Sequence, residues 1–176
     1  MKLEFRTLRA DEIECRPATI TEKGVSLLLY KDARCDMNIL DDHPQIGAMN
    51  WQRDHKELKG NIYCGVSIYD SETGAWSTKW DCGKESNQES EKGEASDSFK
   101  RACFNWGIGR ELYTAPFIWI KAEDTKIAQG RSGKFQCNDS FYVEQILYEG
   151  KTIVALSIKS KAGKRVFMMD KRKKDK

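Results

Sequence analysis

The feature that most constrains this chain is a change of hydrophobic period between residues 61 and 106. Ile62, Cys64, Val66 and Ile68 recur at every second position, the spacing of a strand with one apolar face, while Tyr63 and Tyr69 stand on the other. Asp70-Ser71-Glu72-Thr73-Gly74 supplies turn chemistry, and residues 75–82 return as a strand carrying Trp76 and Trp80. The period then lengthens: Ala95, Phe99, Ala102, Cys103 and Trp106 form one stripe at helical spacing, and Gly107 and Gly109 terminate it. Phe104 points away from that stripe, so the helix is expected to be covered on two sides. With a strand at 49–57 turned back by Lys59-Gly60-Asn61, the pattern predicts an antiparallel three-strand meander followed by a helix.

The flanking segments are less periodic. Residues 7–14 read as a short helix, capped at Thr7 or Asp11 and stopped by Pro17. Residues 25–30 read as a strand, and 33–40 as a short helix broken near His43-Pro44. Residues 83–93 are polar and predict a loop; 117–120 form a short apolar strand after Pro116. The glycine-containing stretch 123–133 is the natural boundary. Beyond it, 134–147, 151–158 and 165–169 are joined at Glu149-Gly150 and Lys161-Ala162-Gly163-Lys164 as a second meander, too small to hold a large core alone. The fold class expected is α+β.

Charge is unevenly spread. The net formal charge is +3, yet residues 159–176 contribute +7 and the preceding residues −4. A basic tail of this kind attracts phosphate backbone without reading sequence, or merely solubilises a terminus. No apolar run approaches a membrane span and the first residues lack a signal core, so a cytoplasmic protein is expected. The six cysteines are scattered singly and read as reduced thiols; His43 and His55 are the only histidines and share no ligand spacing with them, so no metal site is expected.

Lys100 and Arg101 flank the apolar stripe, with Asn105 beside them and Arg110 past the glycines. A Lys-Arg pair on a helix held against a sheet can meet successive phosphates, although two adjacent basic residues on a helix are more often simply solvated. Tyr63, Tyr69, Trp76 and Trp80 are able to stack on bases, but the core is the favoured reading for these aromatics.

The segment 92–113, Lys-Gly-Glu-Ala-Ser-Asp-Ser-Phe-Lys-Arg-Ala-Cys-Phe-Asn-Trp-Gly-Ile-Gly-Arg-Glu-Leu-Tyr, resembles the signature helix of Rad-fifty-two-type single-strand annealing proteins, in particular the phage recombination branch. Matching parts are Glu94-Ala95, Asp97, Phe99, Lys100-Arg101-Ala102, Trp106 and Gly107. Upstream, the stretch from Gly47 through Trp51, the strand 61–69 and the turn Trp80-Asp81-Cys82-Gly83 resemble the family's sheet in the same order, so the likeness covers roughly residues 5–120. It implies a β-β-β-α annealing core at 1–122, with 134–170 as a small β meander of unassigned role and 171–176 as a basic tail.

The resemblance further implies assembly into rings or curved filaments, with single-stranded DNA in a positive groove and its bases exposed for pairing. The family's groove pair maps to Lys100 and Arg101, and its further basic residue to Arg34 as the nearest match; Arg53 and Lys56 join on charge and position. The function expected is single-stranded DNA binding and annealing in recombination or repair, with no catalytic residue and no cofactor. Self-association and a single-strand-binding or replication protein are the expected partners, in a bacterial host cytoplasm if the chain is phage-encoded. Two rivals stand beside it: an end-protecting or replication-associated binding module that does not anneal, and a metal-dependent nuclease using Asp41, Asp42, Asp70 and Asp81. Nucleotide hydrolysis is disfavoured, because Gly130-Arg131-Ser132-Gly133-Lys134 misses the phosphate-loop spacing and Phe135 stands where a hydroxyl is needed.

Overall fold

A computed structural model describes residues 3–83 and 90–172, the side chains of 90–92 excepted. In chain order the elements are β1 (Glu14–Thr21), β2 (Gly24–Tyr30), α1 (Ala33–Asp41), β3 (Trp51–Leu58), β4 (Asn61–Asp70), β5 (Ala75–Cys82), α2 (Ser90–Trp106), β6 (Ile118–Lys121), β7 (Ile127–Gln129), β8 (Phe135–Cys137), β9 (Phe141–Glu149), β10 (Thr152–Ser160) and β11 (Arg165–Asp170). The chain is α+β, mostly antiparallel sheet with two α-helices. It divides into two compact units, neither contiguous: Met1–Arg6 with Asp32–Gly109, and Thr7–Lys31 with Arg110–Lys176.

In the first unit, β3, β4 and β5 form a three-stranded antiparallel sheet in that order. Lys59 and Gly60 turn β3 into β4 with φ of 54° and 77°, the two left-handed positions that a two-residue hairpin loop requires. The expected alternation holds on β4: Cys64, Val66 and Ile68 are buried and meet Phe99, Ala102 and Cys103 of α2, each fully buried. Burying Phe99 alone is worth about 1.5–3 kcal/mol. Helix α1 starts where expected, its first turn capped by the Asp32 carboxylate, which accepts from Cys35 N at 2.9 Å. The expected loop at 83–93 is replaced by helix from Ser90 onward, and its residues 84–89 lie outside the described residues.

The second unit is a six-stranded sheet in the order β11-β10-β9-β1-β2-β6, with β7 and β8 as a separate two-stranded hairpin. Its core is built from Val25 and Leu27, Ile118 and Ile120, Phe141 and Val143, and Ile153, Leu156 and Ile158. The strands of the C-terminal meander do form, joined at the expected turns. They do not stand as a separate sheet, because β9 pairs with β1 through Glu14↔Tyr142 and Cys15↔Phe141.

The N-terminal expectation is corrected. Residues 7–14 hold only a single 3-10 turn, Ala10–Glu12, and β1 follows at once. Pro17 does not end a helix; the β1–β2 register shifts between Pro17 and Ile20, a bulge of the kind that admits proline within a sheet.

Candidate nucleic-acid interface

Helix α2 is fixed to one face of the β3-β4-β5 sheet by polar contacts as well as by its apolar stripe. Glu94 accepts from Ile62 N at 2.7 Å, the His55 ring meets Ala95 O at 3.2 Å, and Trp106 Nε1 donates to Val66 O at 2.9 Å. Where β5 leads toward the helix, a Cβ on Gly83 would stand 2.3 Å from Glu94 O, so only glycine permits that approach. The helix bearing Lys100 and Arg101 is thereby held rigidly.

The two basic side chains diverge, about 100° apart around the axis. Lys100 is half-buried. Arg101 turns toward β5, where its Nε donates to Asp81 Oδ1 at 3.1 Å. The same oxygen accepts from Cys82 N at 2.8 Å, and Asp81 Oδ2 accepts from Asn105 Nδ2 at 3.2 Å, so the carboxylate is itself locked in place. The Arg101 side chain is 41% exposed, and its Nη groups have no partner among the described residues. A guanidinium gripped by its Nε edge and open at its fork is prearranged for a phosphate.

The other cations are distributed. Arg53 shares the helix face of the sheet and lies over the Phe99 ring, 4.9 Å from its centroid. Lys56, of opposite parity on β3, lies on the other face, 4.6 Å from the Trp80 centroid. Arg34 is highly exposed but forks back onto Asp32 at 3.0 and 2.8 Å, at the first turn of α1. Arg110 is exposed and belongs to the second unit. The structure thus brings Arg53 together with α2 and directs Lys56 to the opposite face.

The core reading is overturned for Trp76 and Trp80, while Tyr63 and Tyr69 are half-buried. Trp76 and Trp80 are 46% and 39% exposed, because even-numbered positions of β5 face away from α2. Trp80 lies across the backbone of Gly65, and Trp76 meets Tyr69 at 5.4 Å between ring centroids. Trp80, Tyr63, Lys56, Glu57 and Leu58 line a shallow pocket of about 370 Å³. The Tyr63 phenol there is held above its ordinary pKa, chiefly by Cys82 beside it.

Asp81, which orients Arg101, was read from the sequence as a carboxylate of the nuclease rival, and Asn105, placed there beside the basic pair, proves to hold Asp81. The only sequence signal is the Trp80-Asp81-Cys82-Gly83 turn. Three of the four carboxylates of the nuclease rival are engaged elsewhere: Asp41 accepts from Trp51 Nε1 at 2.6 Å, Asp70 from Glu72 N at 2.9 Å, and Asp81 holds Arg101. Among the described residues no three His, Cys, Asp or Glu side chains converge as a metal site, and no helix is long and apolar enough to cross a membrane. None of the six cysteines is in a disulfide; burial pushes the Cys15 and Cys64 thiols up to about 12 and about 11.

A three-stranded antiparallel sheet, backed by a helix that presents an oriented guanidinium and a neighbouring lysine, defines an α+β unit with a phosphate-competent face. Residues 41–131, from the last residue of α1 to just past β7, match the Rad52/22 family double-strand break repair protein. That span exceeds half of the 176 residues, and the chain belongs to this family. No curated protein and no solved structure matches it.

Proposed function

We propose that the chain binds single-stranded DNA and anneals complementary strands during recombination or DNA repair. Its annealing core lies within residues 1–122, built around the sheet and helix of the first unit, and the phage recombination branch of the family is the one it resembles. The observation that carries the reading is the Arg101 guanidinium on α2, oriented by Asp81 with its fork open, inside the family-matched span. Phosphates are held at Arg101 and Lys100, with Arg53 alongside, and Arg34, Lys56 and Arg110 extend the contact. Backbone contacts keep the strand extended and offset repulsion between two polyanions, leaving bases free to test each other. No covalent chemistry, metal or cofactor is needed. Copies of the chain associate into a ring or curved filament in the cytoplasm, where a single-strand-binding or replication protein is the natural partner.

The test is an annealing time course with complementary labelled oligonucleotides, in EDTA, across a salt series. Acceleration that weakens with salt and with Lys100→Ala/Arg101→Ala supports annealing. Tight single-strand binding without acceleration reassigns the protein to end protection or replication support. Absence of binding refutes the DNA reading.

A further inference from the structure

Most of the family-matched span, residues 41–109, lies in the acidic unit of this protein, and its last residues, 110–131, lie in the basic one. The first unit contains 11 basic and 15 acidic residues, the second 19 and 12. A polyanion approaching the first unit meets a net negative field outside its local cations, whereas the second unit is strongly positive.

Much of that positive charge is carried by the β10–β11 turn and by the β7–β8 hairpin whose foot stands beside it. The β10–β11 turn is closed by Ser160 N to Lys164 O at 2.9 Å and fastened to the stretch before β9 by Lys161 N to Ser140 O at 2.8 Å. Lys164 reaches Asp124 at 2.6 Å, and Asn138 N donates to Lys126 O at 2.9 Å, which places the foot of the β7–β8 hairpin beside this turn. The hairpin's own turn is Gly130–Lys134, with Gly130 N to Lys134 O at 2.8 Å and Gly133 at φ 77°.

Eight cations stand here: Lys121, Lys126, Arg131, Lys134, Lys159, Lys161, Lys164 and Arg165, against Glu123, Asp124, Asp139 and Glu144. Every one of those acids is engaged. Glu123 takes Lys121 at 3.4 Å, Asp124 takes Lys164, and Glu144 takes Lys159 and Arg165 at 2.7 and 2.6 Å. Asp139 accepts from Thr125 Oγ1 and Lys126 N at 3.0 and 2.8 Å. Lys126, Arg131, Lys134 and Lys161 are left exposed with no acidic partner among the described residues.

We propose that this end of the second unit, carried by Lys126, Arg131, Lys134 and Lys161, is a separate contact surface for the phosphate backbone of single-stranded DNA. It rests on the reading of the protein as a single-stranded DNA binder and adds a site to it. Cations on turns without a stacked aromatic among them suit backbone, not base, recognition, so the contact is independent of sequence.

The experiment measures binding of a labelled thirty-nucleotide oligothymidylate by anisotropy across a sodium chloride series. Three proteins are compared: the full chain, its Lys126→Ala/Arg131→Ala/Lys134→Ala/Lys161→Ala variant and its Lys100→Ala/Arg101→Ala variant. Each phosphate contact on a single strand adds about 0.7 to the slope of log K against log salt, so loss of four lowers its magnitude by about 3. A fall of one or more, with at least tenfold weaker binding, supports the surface; a smaller change overturns it. Binding lost only in the α2 variant overturns the surface and spares the function; loss only in the turn variant supports the surface and removes Lys100 and Arg101 as the residues that carry binding. A full chain that does not bind refutes both. An unchanged DNA slope with lost capture of a polyglutamate peptide reassigns the patch to an acidic protein and overturns the DNA proposal. Unchanged circular dichroism and melting are expected, since all four positions are exposed; the double reversal Arg131→Glu/Lys161→Glu repeats the test at smaller structural change.

Discussion

Gly65→Ala is the most informative single substitution in the first unit. Gly65 sits in the middle of β4, opposite Asp54 on one side and Trp80 on the other, and a Cβ there would stand 2.6, 2.7 and 2.8 Å from Cε2, Cζ2 and Cδ2 of the Trp80 indole. All three distances are too short for carbon–carbon contact, so the indole must lift from the strand. Overpacking of this kind costs roughly 1–3 kcal/mol, and lifting the ring also gives up the Lys56 contact, worth about 0.5–1 kcal/mol at an exposed site. Against this, alanine in a strand recovers about 0.5–1 kcal/mol of the backbone entropy that glycine loses. The last two terms cancel, and the net expectation is destabilisation by about 1–3 kcal/mol. The measurement is equilibrium urea unfolding followed by circular dichroism, run in the wild-type and Trp80→Ala backgrounds. Once the indole is gone, Gly65→Ala should be neutral or stabilising. The same penalty in both backgrounds would refute the steric argument.

Three further outcomes are expected. Phe99→Ala, at a fully buried position under Arg53 and beside Trp51, should lower stability by about 3–5 kcal/mol in the same assay; a loss under 1 kcal/mol would mean that α2 is not anchored through this ring. Asp81→Ala and Arg101→Ala should show a favourable coupling energy below about 1 kcal/mol in a double-mutant cycle, because the pair is partly solvated; strictly additive losses would dissolve the pair. Finally, Arg165 and Lys159 hold the Glu144 carboxyl far below its ordinary pKa. A depressed folded-state pKa stabilises above the unfolded value of about 4.3 and loses that stabilisation as pH falls toward the folded value. Urea titrations should therefore show Glu144→Gln less stable than wild type at pH 7, with the gap closing below about pH 4; a gap independent of pH would exclude this origin.

What could be read from the chain was what is local in it. β3, β4, β5 and α2 were legible because each apolar face repeats within one element and each turn lies between its own strands. Strand β1 was not, since its residues are mostly exposed and its second partner strand, β9, is more than a hundred positions away. Periodicity told that Trp76 and Trp80 share a face but not which face α2 covers. The Lys100-Arg101 pair was legible as charge; that Arg101 is committed to Asp81, twenty residues upstream, is a tertiary fact. Charge asymmetry was visible as body against tail, whereas the structure distributes it between interleaved units.

Interleaving also has a consequence for how this protein is made. The β1–β2 hairpin leaves the ribosome before both of its neighbours, with one edge awaiting β6 and the other β9, which begins only at Phe141. At about 5–20 residues per second, that edge stands open for roughly 5–25 s of synthesis, while the stretch that builds the first unit's sheet and α2 emerges without interruption. A nascent hairpin with two unsatisfied edges invites mispairing with a neighbouring chain. The Pro17 bulge and the Glu14 and Arg16 charges on β1 are features that discourage such pairing until the last strands arrive.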